Sequence, residues 1–310
     1  MVTKLPILLI LNSFENNKTE MIQHSELIIN NDGSIFHLHL KPEHISDNII
    51  LVGDPDRVDT VASFFSKTDF SVQNREFKTI TGWYNGEKLT VISTGIGTDN
   101  IDIVLNELDA LANIDLETRT INKNHKTLNI VRIGTSGGLQ PDLPVNAFLV
   151  SQKSIGFDGM LNFYANREDY CDIAFEKAFK TFTNWNKSLP TIYVVDSSEK
   201  LLSKFNDDIF KHGVTISAPG FYGPQGRVLR LPLAVPGLNK QIEEFRFNQH
   251  KITNFEMESS AIYGLSKMLG HEALTICLII ANRVTLTANE NYRDEMKKLI
   301  TLVLERLTIE

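Results

Sequence analysis

Short apolar runs of strand length alternate along this chain with segments whose apolar residues recur at helical spacing, and that alternation confines it to an α/β fold. The strand-like runs fall at 49–52, 89–93, 128–133, 146–155, 191–195 and 273–281. Val58, Val61, Ala62 and Phe65 mark one helix face, and Ile101, Val104, Leu105 and Leu108 another. Met296, Leu299, Ile300, Val303, Leu304 and Leu307 mark a closing helix. No internal repeat or linker interrupts the pattern. We therefore expect a single domain with a mixed central sheet flanked by helices, its ligand site along the carboxyl ends of the strands. Residues 34–40 read as an edge strand carrying His37 and His39. Residues 253–270 read as a helix in which Thr253 and Glu256 form a capping box.

Composition excludes several classes of function. A net charge of -7, from 31 basic and 38 acidic residues, argues against general nucleic-acid binding. Cys171 and Cys277 lack metal-ligand spacing, so we expect reduced thiols in a cytoplasmic protein. No stretch is long enough to span a bilayer. The apolar run at 6–11 is short for a signal peptide and lacks a small-residue cleavage site.

Polar residues sit where the apolar runs end. Arg132 lies inside the 128–133 run, just before Gly134, Thr135, Ser136, Gly137 and Gly138, which read as a loop. An arginine is rarely buried without a partner, and a loop offering N–H groups beside a guanidinium suits an oxyanion. A second anion corner follows the 49–52 run at Gly53, Asp54, Pro55, Asp56 and Arg57, where Pro55 fits the first turn of a helix. Residues 219–227 are dense in glycine and proline and hold Gln225 and Arg227. That pair suits the edge of a planar heterocycle or, equally, the tips of a solvated surface loop. Glu258 shares a helix face with Ala261, Ile262, Leu265 and Leu269, so its carboxylate needs a partner.

Taken in order, these segments resemble the nucleoside phosphorylases of the uridine phosphorylase and hexameric purine nucleoside phosphorylase type, and most closely the uridine enzymes. The matching motifs are Phe-His-Leu at 36–38, Gly-Asp-Pro-Asp-Arg-Val at 53–58, Arg-Glu-Phe at 75–77, Ser-Thr-Gly-Ile-Gly at 93–97, Arg-Ile-Gly-Thr at 132–135, Gln-x-Arg at 225–227 and Phe-Glu-Met-Glu-Ser at 255–259. The resemblance implies a nucleoside phosphorylase-like fold and reversible phosphorolysis of uridine, or of other pyrimidine nucleosides, to free base and pentose 1-phosphate. It implies phosphate held by Gly53, Arg57, Arg132 and Thr135, with Arg75 reaching in from a neighbouring subunit. The ribose would lie on Met257 and Glu258, with the neighbour's His37 at its 5′-hydroxyl. Gln225 and Arg227 would read the base edge, and Phe221 would stack on it. Arg132, Glu258 and Arg227 would carry the catalysis. No metal or organic cofactor is implied, and phosphate is the co-substrate. Glu76 matches a glutamate that binds a monovalent cation in related enzymes, although Asn100 stands where a serine usually helps. A site shared in this way implies a homodimer at least, and a hexamer by analogy.

Three alternatives are opposed by particular residues. A nucleosidase, which uses water, has no need of Arg57, Arg75 and Arg132 together. A purine phosphorylase is opposed by Gln225, Arg227 and Asn282, the last standing where purine-specific relatives carry a catalytic aspartate. A non-catalytic nucleoside-binding protein has no reason to hold phosphate, sugar and base residues at once. Residues 162–218 depart from the family pattern and leave the breadth of base specificity open. Family chains begin shortly before the Phe-His-Leu motif, so we expect residues 1–20 to be a non-native tail, Met21 the native start and 21–310 the phosphorylase domain. Protein made from the native gene should then have the intact mass of a chain beginning at Met21; a mass that includes residues 1–20 rejects the expectation.

Overall fold

A computed structural model describes residues 21–309, and the expected tail at 1–20 lies outside the described residues. A mixed, 12-stranded sheet forms the centre. The apolar runs become the strands Asn48–Val52, Glu87–Ser93, Asn129–Gly138, Phe148–Gly156, Tyr193–Asp196 and Glu272–Asn282. Asn48–Val52 runs parallel to Glu87–Ser93 on one side and to Asn129–Gly138 on the other, and Glu272–Asn282 continues this parallel group. Helices cover both faces. Pro55–Ala62 and Arg293–Thr308 bury Val58, Val61, Leu299 and Val303 against Ile50, Val131 and Leu274. On the opposite face Thr98–Asn113 and Ser259–Met268 bury Ile101, Leu105, Ile262 and Leu265 against Ile49, Leu51 and Ile130. Strands covered on both faces are apolar throughout, which is why these runs stood out in the sequence. No helix among the described residues is long and apolar enough to cross a membrane.

A second parallel group points the other way. Phe148–Gly156 is antiparallel to Glu272–Asn282, and Phe210–Ser217 and His250–Glu256 follow it in parallel. His250–Glu256 then pairs antiparallel with Asn129–Gly138, opposing Asn254 to Gly138 and Phe255 to Gly137. The sheet thereby closes part of itself into a barrel, and the residues after Phe255 run back beside Arg132. The single row of carboxyl ends expected from the sequence is corrected to a junction between two oppositely directed groups of strands.

Other local expectations fail for identifiable reasons. The run beginning at 128 does not break at its glycines but continues to Gly138, because those residues pair with Glu272–Asn282 and with the returning strand. Gly134 leaves room for the guanidinium two residues before it: a Cβ there would lie 2.1 Å from Arg132 Nη1 and 3.0 Å from Cys277 Sγ. Residues 34–40 are turns apart from a bridge between Ile29 and Ile35, folded back by the Ile35 N–H donating to Leu40 O with Leu38 and Leu40 fully buried. The 253–270 segment is a strand to Glu256 followed by the helix Ser259–Met268. Strand pairing overrides the capping pattern there, and the Thr253 hydroxyl donates to Val214 O at 2.9 Å.

Gly134→Ala should lower stability by roughly 1–3 kcal/mol through overpacking. The expected reading is a lower urea midpoint, and an unchanged midpoint would show that the space beside Arg132 is not limiting.

Candidate active site

The closed part of the sheet buries a charged cluster. Arg132 Nη2 donates to Glu258, and Nη1 lies 3.4 Å from Glu256 Oε2 and 3.8 Å from Cys277 Sγ. The Gly97 N–H, just ahead of the Thr98–Asn113 helix, donates to the second oxygen of Glu258 at 2.9 Å. All three charged side chains are at most 5% exposed. Burial opposes the charge on Arg132, but Glu258 and Glu256 outweigh it and hold its pKa above the ordinary value. Burial also pushes Glu258 up to about 7, with Arg132 opposing the rise and Glu256 adding to it. The expected partner of Glu258 is therefore Arg132, while Glu258 itself stands at the N-cap position and not inside the helix.

Arg57, in the first turn of Pro55–Ala62, donates from Nη1 to Ile133 O at 3.4 Å. Burial and then Arg132 lower its pKa. No carboxylate bridges to Arg57 among the described residues. Gly53 begins this turn, and Thr135 continues the strand past Arg132 and Ile133. Two neighbouring guanidiniums, one without a carboxylate, make a receptor for an oxyanion. Met257 lies half-buried between the paired acids.

His37 and Arg75 are not part of this cluster. His37 Nδ1 lies 2.6 Å from Glu107 Oε1, and His37 O accepts from Asn74 Nδ2 at 2.8 Å. Arg75 follows Asn74 in the turn into Phe77–Tyr84, exposed and at φ 54°. The Asn74 bond brings the segment that carries Arg75 against His37. Glu76 and Asn100 meet around Gly95, where a Cβ would lie 3.2 Å from Glu76 Cγ and 2.5 Å from Asn100 Nδ2.

The 219–227 loop is an ordered polar unit. Gln225 is buried, which sets aside the solvated-tip alternative for that residue, and its side-chain oxygen accepts from Arg227 Nη1. Arg227 also donates to Phe221 O at 2.6 Å, with its Cζ 3.7 Å from the centroid of the Phe221 ring. Gly226 turns the chain at φ 69°. Arg283, which the sequence reading did not single out, donates to Gln225 O and holds the loop to the end of the sheet. A cation directly after the last long apolar strand was the available signal. Asn282 is fully occupied: Nδ2 donates to Gln140 O at 2.8 Å and Leu143 O at 2.7 Å, and Oδ1 accepts from the Val284 and Thr285 N–H groups. Beside the loop opens a cavity of about 720 Å³ whose walls include Trp185, Leu231, Leu233 and Leu238, with Arg227 at its lining.

A buried carboxyl raised to about 7 gives the site a pH signature. If ionised Glu258 binds substrate, kcat/KM should rise with pH and level off above about 7, because the acid form dominates below that value. A flat profile between pH 5.5 and 8.5 would remove Glu258 from the reaction.

The sequence pattern of the phosphorylase superfamily matches residues 47–309. A uridine phosphorylase of Thermococcus kodakarensis is 28% identical over 260 residues, covering 82% of this chain and 79% of the relative. A DeoD-type purine nucleoside phosphorylase of Listeria welshimeri is 27% identical over 272 residues, covering 87% of this chain and 97% of the relative. Among solved structures, a Trypanosoma brucei nucleoside phosphorylase that shows uridine phosphorylase activity superposes with a TM-score of 0.82 at 30% identity, covering 91% of this chain and 99% of the other. With its charged cluster inside a fold of this kind and the match spanning nearly all of the sheet, the chain belongs to the phosphorylase superfamily.

Proposed function

We propose that this chain is a pentosyltransferase catalysing the reversible phosphorolysis of uridine to uracil and the pentose 1-phosphate. The observation that carries the reading is half-buried Arg57 beside buried Arg132, two guanidiniums of which only Arg132 is matched by carboxylates. Phosphate supplies the oxyanion that Arg57 lacks, and a water-using nucleosidase has no use for such a cation. In this reading Gly53, Arg57, Arg132 and Thr135 bind phosphate in a water-poor site where bidentate contacts fix its orientation. Glu258, beside Met257, grips the sugar hydroxyls as positive charge develops on the ring in an oxocarbenium-like transition state. Gln225 reads the pyrimidine edge, Phe221 stacks, and Arg227 stabilises negative charge on the departing base.

The likeness to a purine enzyme keeps the second substrate class in view, but Asn282 argues for the pyrimidine. Its amide is committed to the turn, with donors and acceptor all used, so it supplies no acid for a purine leaving group. The reading calls for no metal or organic cofactor, and it gives Glu76 at most a monovalent cation. It takes residues 21–310 as the catalytic unit, working in the cytoplasm as a homodimer or larger assembly. Neither His37 nor Arg75 hydrogen-bonds to Arg132 among the described residues, and the Asn74 side chain beside Arg75 donates to His37 O, an arrangement that suits residues lent to a neighbouring subunit's site.

Release of free base should be followed from uridine, thymidine and inosine, each with and without phosphate. Phosphate-dependent uracil release is expected, and release without phosphate or from inosine alone would overturn the reading. Arg132→Ala should lower kcat/KM by a factor of about 100 or more, the scale of one lost transition-state electrostatic contact. An Arg132→Ala enzyme as active as the wild type would exclude this cluster as the phosphate site.

A further inference from the structure

Glu256 has no part in the reaction as read so far, yet its carboxylate is bound from several sides. It accepts the Ser259 hydroxyl at 2.7 Å, the Ser259 N–H at 3.0 Å, the Glu258 N–H at 2.9 Å and the Ser217 hydroxyl. Arg132 Nη1 approaches it at 3.4 Å, and its side chain is 1% exposed. Ser259 is backed in turn by Ser154 at 2.7 Å. This carboxylate cannot turn without breaking several buried bonds at once. Glu258 is held more lightly, by Arg132 and the Gly97 N–H.

The difference matters because both ligands draw on the same ion pair. Phosphate needs Arg132, and the sugar hydroxyls need Glu258, so filling the site loosens the contact between them. An arginine released by its only counter-ion in a dry interior would be costly and poorly aimed. We propose that Glu256 is a positioning residue, which anchors Arg132 while Glu258 leaves it for the sugar and so keeps the guanidinium aimed at phosphate. This rests on the phosphorolysis reading. It also assigns different work to the two acids of one motif: Glu256 stays and Glu258 exchanges partners.

The groups facing Glu258 are Arg132 from Asn129–Gly138, Glu256 from His250–Glu256, Cys277 from Glu272–Asn282 and the Gly97 N–H, with Arg57 behind Arg132. Cys277 is uncharged at neutral pH, since burial pushes its thiol up to about 12. Glu256 is thus the negative neighbour that helps hold Glu258 up, and removing its charge lowers the pH at which Glu258 ionises.

The experiment compares pH profiles of kcat/KM, and the KM for inorganic phosphate, in wild type, Glu256→Gln and Glu256→Asp. Glu256→Gln should move the acid limb down by roughly one unit and raise the phosphate KM about tenfold, because Arg132 is then held by Glu258 alone. Glu256→Asp keeps the charge but shortens the reach, so its limb should stay at the wild-type position while the phosphate KM rises. An unmoved limb in Glu256→Gln, a fall in kcat with the phosphate KM unchanged, or a shifted limb in Glu256→Asp each overturns the proposal. Should Glu256→Gln not fold, Glu256→Asp decides: a raised phosphate KM with an unmoved limb is expected, and an unchanged phosphate KM or a shifted limb overturns the proposal. A wild type that releases no uracil with phosphate overturns the phosphorolysis reading itself, and an active wild type with failing variants overturns only the role of Glu256.

Discussion

The Arg132 guanidinium lies in the interior of the sheet, where an unpaired ion would cost several kcal/mol. Much of the surrounding structure can be understood as meeting that requirement. Carboxylates must reach the middle of a strand, and the parallel neighbours of Asn129–Gly138 place Leu51 and Thr275, neither of them acidic, opposite Arg132. The returning strand solves this by pairing antiparallel at Gly137 and Gly138, so the chain leaving it carries Glu256 and Glu258 back to the arginine. Gly134 keeps the space open, and the start of the Thr98–Asn113 helix supplies a further N–H to Glu258. Barrel closure and charge pairing are one arrangement described at two scales.

That arrangement also decides what the sequence could and could not show. The strands buried on both faces and the helices covering them were legible because continuous apolar runs and 3.6-residue spacing are local signals. Arg132 stood out for a related reason: a charge inside an apolar run is itself an anomaly. The glycine run at 134–138 was misread as a loop because its pairing partners lie more than a hundred residues away, in Glu272–Asn282 and His250–Glu256. The same distance hid the strand ending at Glu256, since Thr253 and Glu256 satisfy a local capping pattern that long-range pairing overrides. Glu258 was correctly singled out as a carboxylate lacking a partner, but spacing along one chain segment could not name Arg132 as that partner.

Charge in the 219–227 loop follows the opposite logic from the cluster around Arg132. Arg227 and Arg283 are both partly buried, and among the described residues their hydrogen-bond partners are backbone carbonyl oxygens and one side-chain amide oxygen, with no carboxylate. Burial lowers both pKa values, and Arg283 adds to the effect on Arg227. Neutral oxygens can orient a guanidinium without cancelling its field, so the positive potential remains available to a ligand. A carboxylate at the same place would orient Arg227 equally well and cancel that field. The neighbouring arginine at 283 strengthens that field while tying Gln225 to the end of the long central strand, where the Asn282 side chain fixes the turn. The rigid sheet end therefore sets both the position of Gln225 and the potential beside it, and the charge left uncompensated there is the counterpart of the carefully compensated charge at Arg132.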